Sequence, residues 1–112
     1  MRYILLIYSK EVPERRNFAG HWRLIDEASR EGVFVAAEPL DGPTIAPVAR
    51  PGRLQTDGPF AETKEQLAGF YILDCQSEGE AVKWAERVLS TCDGMQRVEV
   101  RRMPGMPERR SG

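Results

Sequence analysis

The chain has 112 residues, a formal charge of −1 from 16 basic and 17 acidic side chains, and 41% apolar content. That composition supports one core and is too short for two domains, and its even charge balance gives no footing for direct nucleic-acid binding. No run approaches the roughly 18 apolar residues of a membrane-spanning helix, and the apolar opening 2–8 is too short and wrongly flanked for a signal peptide, so a cytoplasmic protein is expected.

Residues 2–8 are apolar on both alternating faces and rich in β-branched and aromatic types, the pattern of a central strand covered on two sides. From about Glu14 to Glu31, Phe18, Trp22, Leu24, Ile25 and Ala28 recur at helical spacing, and Gly32 stands where a helix-ending glycine belongs. Residues 33–37 predict a second strand, stopped by Glu38-Pro39 because proline cannot donate to a ladder. The stretch 40–66 is longer than an ordinary connection and suggests a binding or lid element. Two short extended pieces in it, 44–48 and 53–56, flank Arg50-Pro51-Gly52 and predict a small hairpin.

Residues 67–75 form a third strand, again apolar on both faces. Ser77 followed by Glu80 is a capping box for a second helix over about 78–89, with Ala81, Trp84, Ala85 and Val88 as its apolar stripe. The strict alternation of 96–101 marks a last strand with one wet side. Residues 103–112 carry little that could pack and are expected to be a flexible tail, leaving 1–102 as the domain.

The order strand, helix, strand, strand, helix, strand predicts an α+β, ferredoxin-like βαββαβ fold with a hairpin/loop insertion, its two helices on one sheet face. The doubly apolar central strands then leave an uncovered patch on the other face. A second copy is the economical partner, and two such sheets face to face make a dimeric α/β barrel.

The motif Asp57-Gly58-Pro59-Phe60-Ala61-Glu62-Thr63-Lys64-Glu65-Gln66-Leu67-Ala68-Gly69-Phe70-Tyr71 is the most distinctive feature of the chain. Together with the Tyr3–Tyr8 strand, Glu80–Ala85 and Val98–Arg101, it resembles the DGPF-domain branch of the YCII-related superfamily. The resemblance implies a dimeric ferredoxin-like fold with a cleft and frequent association with extracytoplasmic-function sigma factors. It also implies kinship to a few cofactor-free enzymes, among them a dehydrochlorinase resembling muconolactone isomerases. In those relatives a histidine near the start of the first helix, paired with an aspartate, is the proposed acid/base dyad, and His21 falls at the matching point.

Candidate site residues follow from both lines of reading. His21, the only histidine in the chain, is either a packed helix residue or an acid/base group, with Asp57 as its expected partner and Asp41 in reserve. Glu62, Thr63 and Lys64 are candidate ligand contacts on the central loop. Phe60 is expected to fasten that loop to the core, where Trp22, Trp84 and Tyr71 also belong. Cys75 and Cys92 make neither a disulfide framework nor, with one histidine, a closed zinc site, and no base or cationic cluster lies beside either in sequence, so they are expected to be inert thiols, and neither a metal nor a cofactor is expected. Two functions fit: a non-catalytic small-molecule-binding or regulatory module, or a small cofactor-free lyase or isomerase using a His-Asp pair.

Overall fold

The structure is a computed structural model and describes residues 1–10, 16–41, 48–55 and 65–109. Strand β1 (Arg2–Ser9) is its spine, followed by α1 (Ala19–Arg30), β2 (Phe34–Pro39), the short β3 (Val48–Arg50) and β4 (Arg53–Gln55), β5 (Gln66–Asp74), α2 (Glu78–Thr91) and β6 (Met95–Met103). The main sheet has the order β2-β5-β1-β6 with every neighbouring pair antiparallel, and β3 and β4 form a separate hairpin. This is the ferredoxin-like α+β plan expected from the sequence.

Register explains how one apolar strand serves two faces. Tyr3, Leu5 and Ile7 are buried and pair with Leu73, Tyr71 and Gly69, and on the other side Leu5 and Ile7 pair with Val100 and Val98. These residues lie under the helices. The alternate residues Ile4, Leu6 and Tyr8 are half-buried and sit between Ile72, Phe70 and Leu67 on β5 and Arg101, Glu99 and Arg97 on β6. The outer face is therefore apolar at its centre and charged along β6. There Arg97 lies 4.0 Å over the Tyr8 ring and donates to Glu65, and Arg101 pairs with Glu99.

Helix α2 is capped as expected, with Glu80 N–H donating to Ser77 Oγ at 3.2 Å, although the Glu80 carboxylate accepts from Gln76 N–H. Its Ala81, Trp84, Ala85 and Val88 are buried. Helix α1 ends at Gly32, whose φ of 75° suits a residue without Cβ, while Val33 N–H donates to the Ala28 carbonyl.

Three expectations need correction. Residues 16–18 are not helical: Asn17 Oδ1 accepts from Ala19 N–H at 3.0 Å, an Asx-type turn that starts α1 at Ala19. Strand β2 runs through Glu38 to Pro39, because it is the sheet edge and the missing proline N–H leaves no ladder bond unmade. Trp22 is 62% exposed and outside the core, whereas Trp84 and Tyr71 are 5% and 4% exposed. Phe60, Asp57, Glu62, Thr63 and Lys64, and residues 44–47 of the expected hairpin arm, lie outside the described residues.

Candidate functional site

A cavity of about 520 Å³ lies between the first half of α1 and the helix-side face of the sheet. Its floor is Ile7 and Ser9 of β1, Ala68 to Tyr71 of β5 and Ala37 to Pro39 of β2. Phe18, His21, Trp22 and Ile25 form the helical wall, and Asp93 to Met95 close the end next to α2. The floor is open because Ala37, Ala68 and Gly69 have little or no side chain to fill it. The wall stands off because α1 is held sideways against the end of α2: a Cβ on Gly20 would sit 2.7 Å from the Thr91 carbonyl oxygen and 3.3 Å from Cys92 Sγ. Only glycine permits that approach.

His21, one residue further along, is brought to the cavity by the same contact. Its Nδ1 lies 2.7 Å from Tyr71 Oη and 3.4 Å from Cys92 Sγ. Burial pushes the Tyr71 hydroxyl well above its ordinary value, with the Cys92 thiol adding to the rise. Burial and the neighbouring Asp93 carboxylate push Cys92 up to about 11. Both groups therefore keep their protons near neutrality, and the 2.7 Å contact joins Nδ1 to a neutral phenol able to donate or accept, its direction set by the ring tautomer. His21 itself is lowered from the ordinary histidine value, first by burial and then by the Arg16 cation. The imidazole therefore favours its neutral form at pH 7, with Nε2 unbonded among the described residues.

Arg16 occupies the same wall. Its guanidinium donates to the Ala68 carbonyl at 3.1 Å and to the Leu40 carbonyl, tying the segment before α1 to β5 and to the end of β2. Among the described residues the cavity thus combines an apolar floor, the Arg16 cation, and an imidazole against a phenol and a thiol. This set can hold a small molecule and can move one proton. Among the described residues no group of three His, Cys, Asp or Glu side chains could hold a metal ion.

Of the residues singled out in the sequence, His21 lines the cavity, whereas Asp41 is exposed and is not among the lining residues. No described carboxylate bonds His21, and Tyr71 and Cys92 lie against its ring. Three members of the site were missed. Tyr71 was expected only as core, yet a buried phenol needs a hydrogen-bond partner, and that requirement was a usable signal. Cys92 was expected to be inert because no base adjoins it in sequence; the fold supplies His21 from 71 residues away. Arg16 lay within the expected helix and carried no signal of its own.

Comparison with known proteins agrees with this architecture. Residues 1–104 match the YCII-related domain. An uncharacterised protein of Rhizobium meliloti (strain 1021) is 35% identical over 96 residues, spanning 84% of this chain and 77% of the relative. Among solved structures, 5-chloro-2-hydroxyhydroquinone dehydrochlorinase from Burkholderia phenoliruptrix AC1100, in complex with 2,5-dihydroxybenzoquinone, superposes with a TM-score of 0.53. The superposition covers 92% of this chain and 93% of that one at 16% identity, a likeness of fold. The chain belongs to the YCII-related domain family.

Proposed function

We propose that this protein is a small-molecule-binding member of its family, taking a compact, largely apolar organic molecule with an oxygen function between α1 and the sheet. The observation that carries this reading is the cavity itself. Its volume of about 520 Å³ falls in the range of ligand sites, and its apolar floor faces a few converging polar groups. In its regulatory form the module works beside an extracytoplasmic-function sigma factor, as the family resemblance implies. A ligand-observed NMR screen of small cyclic compounds tests the binding. Ala37→Phe, which fills the floor, should abolish binding while leaving the protein folded; hits that survive it would place the site elsewhere.

A second reading, a cofactor-free lyase or isomerase, is favoured by the 2.7 Å contact between His21 and Tyr71. It is supported by the dehydrochlorinase of similar fold, whose structure holds a small cyclic quinone. In the tautomer whose Nδ1–H donates to Tyr71 Oη, the free Nε2 would take the proton and Tyr71 would orient the ring, the part given to a carboxylate in the expected dyad. Solvent deuterium entering a carbon acid bound in the cavity, and no longer entering it in His21→Gln, separates the catalyst from the binder.

For assembly, we infer a homodimer through the outer sheet face. Ile4, Leu6, Phe70 and Ile72 form an apolar centre that the helices do not cover, flanked by the charged row of β6. Light scattering at micromolar concentration should give twice the chain mass; a monomer would remove the interface.

A further inference from the structure

We propose that the ligand of this cavity is an anion, a flat aromatic carboxylate whose charge is met by Arg16. The proposal rests on the small-molecule reading above and specifies its chemistry. Arg16 is half-buried in a mostly apolar wall, and among the described residues its hydrogen bonds go to neutral carbonyls, those of Ala68 and Leu40. No described carboxylate forms an ion pair with it.

Among the described residues, the two acidic ones lining the cavity do not supply an opposite charge. Asp93 is exposed in the turn before β6. Glu38 is exposed and paired with Phe70, which places it in the row that alternates away from the helix side. A guanidinium has five N–H groups, so donors remain after two carbonyls are served, and a cation in apolar surroundings is costly unless an opposite charge joins it. In the tautomer protonated at Nε2, His21 on the same wall supplies a second, neutral donor for the carboxylate. The aromatic body is met by the Phe18 ring, 6.2 Å from that of His21 and tilted 52° to it, with Ile25 beside them facing the apolar floor.

The test uses two probes of equal shape, 2-naphthoate and 2-naphthamide, titrated calorimetrically into the full chain at pH 7.5. The acid is expected to bind about tenfold more tightly than the amide, a gap of about 1.4 kcal/mol. In Arg16→Met the two affinities should converge to within about twofold, and Arg16→Lys, which keeps the charge, should retain the preference for the acid. Circular dichroism on each variant separates lost recognition from lost structure. Equal binding of acid and amide by the unaltered protein, or an undiminished gap in folded Arg16→Met, overturns the anion assignment and leaves the cavity as a site for neutral molecules. If neither probe binds and the His21 ring resonances stay unmoved, the small-molecule reading falls with it.

Discussion

Helix α2 buries Ala81, Trp84, Ala85 and Val88 against the sheet, whereas α1 buries only Leu24 and Ala28, from its middle onward. Each helix brings one tryptophan. Trp84 is enclosed, with the Arg87 guanidinium 4.2 Å over its ring, and Arg87 also pairs with Glu27 of α1. Trp22 stands at the mouth of the cavity, 62% exposed. The difference separates two uses of an amphipathic helix. One closes the core, and the other is propped against its neighbour so that its first turns leave a space over β5 and β2.

Substitutions that treat the two halves alike should break this comparison if it is wrong. The largest effect is expected from Trp84→Ala, at about 3–5 kcal/mol by chemical denaturation, against less than about 0.5 kcal/mol for Trp22→Ala. Equal costs would mean that α1 is packed as α2 is. Next comes Gly20→Ala, which drives a methyl into the Thr91 carbonyl and should cost about 1–3 kcal/mol while displacing His21 from Tyr71. Its signature beyond stability is a changed His21 ring resonance in NMR.

Tyr71→Phe should cost about 1 kcal/mol, the net value of one hydrogen bond. If the phenol donates to Nδ1 it stabilises the neutral ring, and its loss should also move the His21 pKa upward. A pKa that stays still or falls would show that Nδ1 is not the acceptor.

A smaller effect is expected from pH. The folded pKa of His21 lies below the unfolded value of 6.5, so just below pH 6.5 the unfolded chain binds the extra proton. His21 should therefore lower stability as pH falls from about 6.5 to its folded pKa, and add no further slope beneath that. Comparing the denaturation slope with that of His21→Gln isolates this contribution, and identical slopes would place His21 in water.

The sheet and helices were legible because period-two and helical spacing report which residues face a core, and the Ser77–Glu80 and Gly32 signals fixed helix ends to within a few residues. The misplacements came from neighbours that periodicity does not see. Trp22 fits the apolar stripe of α1 as well as Leu24 does, but the sheet beneath it is out of reach once Gly20 meets Thr91. Pro39 reads as a strand stop unless β2 is known to be an edge. For the site, His21 was legible from its position near the start of α1. Its partners were not, because Tyr71 and Cys92 meet it across distances of 50 and 71 residues and only the topology brings them together.

The most direct test of the central claim, that the space beneath α1 is a ligand site with His21 at its polar wall, is a crystal structure from crystals grown with a ring compound recovered in the NMR screen. The expected result is ligand density between Phe18, Ile25 and Ala68, with an oxygen within hydrogen-bond distance of His21 Nε2. Density confined to the outer sheet face, with Ile25 and Phe18 packed down onto Ala68 and Gly69, would contradict it.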